Sequence, residues 1–283
     1  MPYVTRFAPS PTGPLHLGHA YSALLASDRA AAAGGQFLLR IEDIDQSRAR
    51  TAWETQIYED LHWLGLHWPT PVLRQSDRLP QYRAALQTLW DRELLYPCRC
   101  NRRDILAAVS APQEGAEPAY GPDGLIYPGT CRTLPRPGEM PEQALRLNLA
   151  KAIEALGPAP LRFDETGEHP AQQEIALATL PDTLGDIVLA RRDMGTSYHL
   201  SVVLDDAAQG ITEVTRGADL FEATQIHVLL QRLLNLPTPC YHHHRLIRDD
   251  QGKRLAKRDD ARAIATYRAE GASPQDIRQM VGL

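Results

Sequence analysis

The sequence has little of what a secreted or membrane protein needs. No apolar run approaches the roughly 20 residues required to cross a bilayer, and the N-terminus lacks a basic region followed by an apolar signal core. Only four cysteines occur in 283 residues, which is too few for a disulfide scaffold of this size. These absences predict a cytoplasmic protein with no membrane partner.

The sequence also has no excess of positive charge. Lys and Arg total 30 against 35 for Asp and Glu, so the formal net charge is -5. Any contact with a polyanion such as nucleic acid must therefore depend on a local basic patch. The length of 283 residues, 43% of them hydrophobic, allows one large domain or two modest ones.

The first third of the chain predicts alternating strands and helices. Residues 3–8 are extended in character and run into a proline-rich turn, and residues 19–33 favour a helix that Gly34-Gly35 ends. Residues 36–42 then form a second strand. This order begins a βαβ unit, in which ligand sites lie at the carboxyl ends of the strands.

The rest of the chain changes character twice. Amphipathic helices are expected near 49–65 and 79–95, and the proline-rich stretch 98–181 that follows is typical of an irregular insert. Regular patterning returns at 185–189 and 200–206. A helix is expected at about 223–234, before a basic, polar tail that ends in a short helix.

Two histidines bracket a glycine where the first helix begins, in His16-Leu17-Gly18-His19. A helix start offers unpaired N–H groups and the positive end of a dipole, so phosphate binds there readily. Gly18 would let a flat ring or a phosphate approach the backbone, and imidazoles can donate hydrogen bonds to oxygens that gain charge. The alternative is that both histidines only cap the helix.

Residues 6–19, with the sequence RFAPSPTGPLHLGH, closely resemble the signature of class I aminoacyl-tRNA synthetases, in their glutamyl and glutaminyl branch. The resemblance continues in the family's order over most of the chain, at residues 40–45 (RIEDID), 198–200 (YHL), 203–206 (VLDD) and 215–220 (TRGADL).

This resemblance implies an α/β fold: a Rossmann-type parallel sheet with an inserted zinc-containing domain and a short helical C-terminal segment. We expect residues 1–96 and 186–240 to form the two halves of the catalytic domain. Residues 97–185 would form the insert that meets the acceptor nucleoside, and residues 241–283 would carry the phosphate loop and the helical segment.

The resemblance also assigns substrate contacts. His16, Gly18 and His19 would hold ATP and steady its α-phosphate while an amino-acid carboxylate attacks it. The residues that would bind the amino acid are Arg6, Ala8, Ser10, Glu42, Tyr198 and Arg216, with Glu42 taking the α-ammonium group. Arginine suits a glutamate side chain because its guanidinium can grip a carboxylate at two points. Taken alone, each arginine would be expected on the surface.

The basic patch that the charge balance requires lies at residues 245–258. Its segment Arg254-Leu255-Ala256-Lys257-Arg258 resembles the second class I signature, Lys-Met-Ser-Lys-Ser, with departures at 254, 256 and 258. The surviving Lys257 would contact the β- and γ-phosphates of ATP, with Mg²⁺ as their partner. The preceding His242-His243-His244 is expected to form a surface turn, since three adjacent side chains cannot all face one metal.

Three of the four cysteines, Cys98, Cys100 and Cys131, lie close together in the sequence. Three thiolates suit tetrahedral zinc, but a closed structural site needs a fourth ligand. The family pattern Cys-x-Cys…Tyr-x-x-x-Cys implies Tyr127, with Tyr120, an acidic side chain or water as alternatives. Zinc would staple the insert, and the competing interpretation is three free cysteines.

The function implied by the resemblance is formation of glutamyl-adenylate from glutamate and ATP, followed by transfer of the glutamyl group to an RNA. Only about 26 residues follow Lys257, so we expect no anticodon-binding domain. Short members of the family transfer glutamate to the queuosine base in the anticodon of tRNA(Asp), and this chain resembles them. The alternatives are a minimal glutamyl-tRNA synthetase charging a 3′ end and a catalytically silent RNA-binding paralogue. We expect a monomer.

Overall fold

The structure, a computed structural model, describes residues 2–110, 119–248 and 262–283. Within them the strands are β1 (Val4–Phe7), β2 (Gln36–Ile41), β3 (Leu73–Arg74), β4 (Leu95–Pro97), β5 (Tyr120–Gly121), β6 (Gly124–Leu125), β7 (Leu145–Leu147), β8 (Leu161–Glu165), β9 (Ala171–Ile175), β10 (Val188–Ala190), β11 (Glu213–Gly217) and β12 (Cys240–His244). The helices are α1 (Leu17–Ala32), α2 (Thr51–Trp63), α3 (Leu79–Asp91), α4 (Arg102–Ser110), α5 (Leu149–Leu156), α6 (Leu180–Thr183), α7 (Tyr198–Ala208), α8 (Thr224–Leu233), α9 (Ile264–Ala269) and α10 (Pro274–Val281).

Parallel strands form the centre of the fold. β1 pairs in parallel with β2, and β2 with β3. On its other side β1 meets β11, where the Thr212 backbone N–H donates to the Val4 carbonyl oxygen over 2.9 Å. β11 pairs in parallel with β12, and β12 with β8, while β9 closes that edge in the antiparallel sense. The predicted α/β fold with a parallel sheet is therefore confirmed.

The junction of β1 and β11 is the point that matters for function. From β1 the chain runs through α1 to β2 on one side, whereas β11 continues through α8 to β12 on the other. In open parallel sheets, a crevice forms at the carboxyl ends of the strands where the order of connection reverses. The fold therefore places a crevice beyond Phe7 and Gly217.

A smaller antiparallel sheet joins β4, β7 and β10, and β5 with β6 forms a separate hairpin. β8 and β9 come from the expected insert but hydrogen-bond to the main sheet through β12. The division of the chain at residues 96, 185 and 240 stays a prediction.

The predicted helices and strands of the first third are present, with shorter helices than expected. α2 occupies 51–63 of the expected 49–65, and α3 occupies 79–91 of the expected 79–95. α3 ends early because Glu93 adopts a positive φ of 57°, which a helix does not allow. Residues 200–206 lie within the helix α7.

The C-terminal helices pack against α1. The Ile264 backbone N–H donates to the Leu15 carbonyl oxygen over 2.8 Å, and Ile264 and Ile277 are fully buried in the same core as Leu24. The Arg278 guanidinium pairs with Asp28 of α1 at 2.7 Å. This segment therefore supports the helix that carries the His-Leu-Gly-His motif. The described part of the chain contains no helix with both the length and the apolar character needed to span a membrane.

Candidate active site

A cavity of about 350 Å³ occupies the crevice at the ends of β1 and β11. The sequence-predicted residues that line it are Arg6, Ala8, His16, Gly18, His19, Glu42, Tyr198 and Arg216. Ser10 is not among its lining residues, and Lys257 lies outside the described residues. The structure thus brings together groups that are spread over more than 200 positions of the sequence.

His16 and His19 cap the helix and also face the cavity. The Gly18 backbone N–H donates to Nδ1 of His16, and the His16 backbone N–H donates to Nδ1 of His19, each over 3.1 Å. Because both Nδ1 atoms act as acceptors, each neutral ring carries its proton on Nε2. Capping and function are therefore not alternatives. The capping hydrogen bonds leave the proton on Nε2, and that tautomer can donate a hydrogen bond to a phosphate oxygen.

Gly18 is required by the packing of the His16 ring. A Cβ atom at position 18 would lie 3.0 Å from Cε1 and 3.1 Å from Nδ1 of His16, which is tighter than ordinary carbon contacts. A side chain there would require the ring that caps the helix to shift by a few tenths of an ångström. The glycine thus keeps the start of α1 open on the cavity side.

The chain on either side of residues 249–261 also lies at this cavity. Leu246 and Ile247 line it, and Ala263 pairs with His16 in an isolated antiparallel bridge. The second signature, residues 254–258, falls outside the described residues, so its contacts remain predictions.

The end of the cavity at Arg6 and Glu42 is built on a buried network of charges. The Asp206 carboxylate accepts hydrogen bonds from Nε of Arg6 at 2.9 Å and from Nη1 of Arg40 at 2.6 Å. Nη2 of Arg40 in turn donates to Glu42 over 3.1 Å. Arg40 is fully buried, so its charge depends on these carboxylates.

This network sets the ionisation of the two acids differently. Burial raises the pKa of Glu42, although the charges of Arg40 and Arg6 oppose that rise. Burial also works against ionisation of Asp206, but Arg6 and Arg40 outweigh it and lower the pKa of Asp206. Asp206 therefore serves as the permanent counter-charge. Glu42 is the acid that a bound cation would stabilise further.

Arg216, on the opposite wall of the cavity, is held by four hydrogen bonds. Its Nε donates to Nε2 of His243 at 3.0 Å, and its Nη1 lies 2.9 Å from Nδ1 of His227. Its Nη2 donates to the Thr224 hydroxyl at 2.7 Å and to the Leu220 carbonyl at 3.2 Å. The guanidinium thus has a fixed orientation before any substrate binds.

The histidine run before the second signature is not a surface turn, so that prediction was wrong. His242, His243 and His244 form the end of β12, and His243 and His244 are buried. His243 places Nδ1 2.5 Å from the buried Glu165 carboxylate. Because this partner is 78 residues away, nothing in the local sequence indicates that the histidine is buried.

Sequence reasoning also missed the roles of Asp206, Arg40 and His227. Asp206 and Arg40 fall within segments that carry the family resemblance, yet neither was recognised as a support of the site. The available signal was the occurrence of charged residues inside otherwise apolar elements. Such residues are rarely buried unless they are paired.

The three cysteines meet in a second cluster, away from the cavity. The sulfur atoms of Cys98, Cys100 and Cys131 all lie within 4.8 Å of one another. The Tyr127 hydroxyl lies 3.6 Å from the sulfur of Cys98 and 3.4 Å from that of Cys100. Zinc at 2.3 Å from each sulfur would separate the sulfurs by about 3.8 Å, so this donor set fits one tetrahedral ion.

The surroundings act on the thiols of the cluster in opposite ways, because burial raises the pKa of Cys100 to about 11 whereas the pKa of Cys131 falls. Nε of Arg146 donates to the Cys98 sulfur over 3.3 Å, and its guanidinium lies 3.9 Å from the centre of the Tyr127 ring. Burial disfavours ionisation of Cys131, but hydrogen bonds, first among them that from Tyr127, outweigh it and lower its pKa to about 7. Tyr120, an alternative fourth ligand, is largely exposed.

The buried state of His243 predicts a pH-dependent stability difference. Burial first, and then the charge of Arg216, lower the pKa of His243 from 6.5 to about 4. As pH falls from 6.5 to about 4, the unfolded chain takes up a proton that the folded chain does not. The free energy of unfolding of the wild type therefore decreases by up to about 1.4 kcal/mol per pH unit.

His243→Gln removes that titrating group, so we expect its stability cost to be largest above pH 6.5 and to shrink toward pH 4. Urea unfolding of wild type and variant at several pH values measures the cost. The exposed His67→Gln is the matched control. The same pH dependence in both variants would contradict the buried, neutral state of His243.

Comparison with known proteins identifies the family. The family model for the catalytic domain of class I tRNA synthetases (E and Q) matches residues 3–125 and 138–283. Glutamyl-Q tRNA(Asp) synthetase of Rhodobacter capsulatus is 66% identical over 99% of this chain and 100% of its own length. The protein of the same name from Symbiobacterium thermophilum is 42% identical, over 96% of this chain and 83% of its own.

Solved structures give the same result at lower identity. A glutamate tRNA ligase from Elizabethkingia meningosepticum, solved in complex with its amino acid, superposes with a TM-score of 0.77 and 27% identity. The match covers 100% of this chain but 61% of the ligase. On the family match and the identity to its relatives, the chain belongs to the class I tRNA synthetases of the glutamyl and glutaminyl branch.

Proposed function

We propose that this protein activates glutamate with ATP and transfers the glutamyl group to the queuosine base in the anticodon of tRNA(Asp). The observation that carries the activation step is a single cavity in which two buried arginines and Glu42 face the capped start of α1. The acceptor is proposed from the Rhodobacter capsulatus relative, which is named glutamyl-Q tRNA(Asp) synthetase and is matched over 100% of its own length. The proposal includes a cytoplasmic location, where ATP and tRNA are present, and a monomeric protein.

The cavity offers charges that complement each part of glutamate. The cations of Arg6 and Arg216 suit the side-chain carboxylate, and Glu42 suits the α-ammonium group. Ala8, Ser10 and Tyr198 would complete the pocket. Glutamine would bind poorly, because its neutral amide gives no counter-charge to Arg216, whose side-chain partners are the neutral groups of His243, His227 and Thr224.

In the activation step an oxygen of the glutamate α-carboxylate attacks the α-phosphorus of ATP. The bond from that phosphorus to the bridging oxygen breaks, and pyrophosphate leaves. His16 and His19 would donate Nε2–H hydrogen bonds to the phosphate oxygens at the positive end of α1, near Gly18. Lys257 and Mg²⁺ would neutralise the departing pyrophosphate.

In the transfer step a hydroxyl of the queuosine base attacks the activated carbonyl carbon. An ester bond forms to the hydroxyl oxygen, and the single bond from the carbonyl carbon to the phosphate oxygen breaks. AMP leaves with that electron pair, and the hydroxyl proton passes to the departing phosphate. A second candidate acceptor is the 3′ end of a tRNA, because the Elizabethkingia structure that this chain resembles is a glutamate tRNA ligase.

We also propose that the cysteine cluster holds one structural zinc ion, with Cys98, Cys100, Cys131 and Tyr127 as its ligands. The fit of the donor spacing to a tetrahedral ion supports this. The ion would join the strand end at Pro97 to the loop that contains Tyr127 and Cys131. It takes no part in the chemistry.

An acceptor assay tests the proposed function. Labelled glutamate and ATP are incubated with tRNA(Asp) that contains queuosine and with the same tRNA from cells unable to make it. We expect label only on the queuosine-containing tRNA, and we expect the labelling to persist when the 3′ terminal adenosine has been removed enzymatically before the reaction.

Two outcomes would contradict the proposal. Label that requires the 3′ adenosine and not queuosine would indicate a minimal glutamyl-tRNA synthetase. Absence of any glutamyl-adenylate would indicate a catalytically silent RNA-binding protein.

Metal analysis tests the zinc proposal. We expect about one zinc per chain in the purified protein, and Cys100→Ser should lower both the zinc content and the melting temperature. Cys240→Ser, at the cysteine outside the cluster, is the matched control and should leave the zinc content unchanged. A metal-free wild type that is as stable as the zinc-loaded protein would contradict the proposal.

A further inference from the structure

Two buried histidine rings connect Arg216, at the wall of the cavity, to the surface of the protein. Nη1 of Arg216 is 2.9 Å from Nδ1 of His227, whose Nε2 is 3.1 Å from Nδ1 of His199. Nε2 of His199 is 3.2 Å from the Asp123 carboxylate. The four residues therefore form one continuous path of hydrogen bonds from the cavity wall to a residue at the surface.

The direction of every hydrogen bond in this path is fixed. Arginine can only donate, so Nδ1 of His227 must accept and the proton of that ring lies on Nε2. This proton is donated to Nδ1 of His199, whose own proton then lies on Nε2 and is donated to Asp123. An acceptor is needed at the end of the path, and Asp123 supplies it.

A second path fixes the other side of the guanidinium in the same way. Nε of Arg216 donates to Nε2 of His243, and Nδ1 of His243 faces Glu165 at 2.5 Å. Both histidines that touch Arg216 are neutral, because burial lowers the pKa of His227 well below its usual value and that of His243 to about 4. Neutral rings can accept from the guanidinium without repelling it.

The two paths differ in where they end. Glu165 is buried within the main sheet, at the end of β8. Asp123 lies in the turn between β5 and β6, outside the main sheet, and its side chain is 37% exposed. It comes from the segment expected to meet the acceptor, so the path joins Arg216 to a residue of that segment.

We propose that Asp123, acting through His199 and His227, is a positioning residue that holds Arg216 in its glutamate-binding orientation. This inference rests on the proposed function, since it takes glutamate as the ligand of Arg216. Tyr198, the other residue of this wall, packs edge-on against both rings, with ring centres 5.3 Å from His199 and 5.8 Å from His227. The path thus supports two substrate contacts together.

The physical reason for such a path is the mobility of an arginine side chain. A long side chain loses rotamer freedom when it binds a ligand, and that loss weakens binding unless the orientation is set beforehand. Four hydrogen bonds to the protein leave Arg216 one more N–H to offer the substrate. A rotation of the guanidinium would turn that group away from the carboxylate.

Two substitutions at the exposed end of the path test the proposal. Asp123→Ala removes the acceptor, whereas Asp123→Asn keeps an acceptor oxygen for Nε2–H of His199. In glutamate-dependent ATP–pyrophosphate exchange we expect Asp123→Ala to raise the KM for glutamate roughly fivefold to tenfold, the effect of one lost hydrogen bond. The KM for ATP and kcat should stay near the wild-type values, and Asp123→Asn should restore the KM for glutamate to within about twofold.

Asp193→Ala is the matched control, because Asp193 is an exposed aspartate paired with Arg191 outside the path. It should leave both KM values unchanged. An unchanged KM for glutamate in Asp123→Ala would overturn the proposal. So would equal increases in the KM values for glutamate and ATP, which would indicate a general structural loss.

A spectroscopic measurement tests the path without reference to activity. Long-range nitrogen–proton correlation spectra of histidine-labelled protein report which ring nitrogen carries the proton. We expect Nε2 to be protonated in His199 and His227, and Nδ1 in His243. A proton on Nδ1 of His227 would overturn the path whatever the activity of the variants.

The two proposals fail in different ways. If the wild-type protein shows no exchange with glutamate, the proposed function is wrong, and the histidine spectra still decide whether the path exists. If the wild type exchanges glutamate normally but Asp123→Ala matches it, the proposed function stands and the positioning role is wrong.

Discussion

The Asp206 carboxylate, shared between Arg6 and Arg40, is the contact on which the rest of the site depends. It joins three elements that carry the cavity, because Arg6 lies on β1, Arg40 on β2 and Asp206 on α7. Two arginines in a dry interior without this anion would leave uncompensated charge, and breaking such a pair costs about 3–5 kcal/mol. The interaction that holds the strands to the helix therefore also places Arg6 at the wall of the cavity.

The remaining charges follow from that arrangement. Arg40 reaches past Asp206 to Glu42, so the acid expected to bind an ammonium group is held in place by the cation beside it. Arg216 completes the opposite wall, and its orientation is set by neutral histidines. The positive end of α1 meets the same cavity from a third direction. Groups suited to a carboxylate, an ammonium and a phosphate thus face one space of about 350 Å³.

The local features of this chain could be predicted from its sequence, while the long-range contacts could not. The strand, turn and helix around His16 and Gly18 follow from proline, glycine and helix propensity over a few residues. The family resemblance added Arg6, Glu42, Tyr198 and Arg216, which the structure brings to the same cavity. The partners that orient them were missed, since Asp206 is 200 positions from Arg6 and Asp123 is 76 from His199.

The histidines show the physical reason for the difference. Three adjacent histidines have no apolar periodicity, so they appear suited to an exposed turn. In the structure they continue β12, and alternation along the strand lets His243 reach Glu165 and Arg216. A polar side chain can be buried when a residue from elsewhere in the fold pairs with it. The local sequence does not show which residue that partner is.

The central claim is that Arg6 and Arg216 bind glutamate, and ATP–pyrophosphate exchange driven by each amino acid in turn tests it most directly. We predict exchange with glutamate and background rates with glutamine and the other amino acids. Exchange driven by glutamine and not by glutamate would contradict the claim.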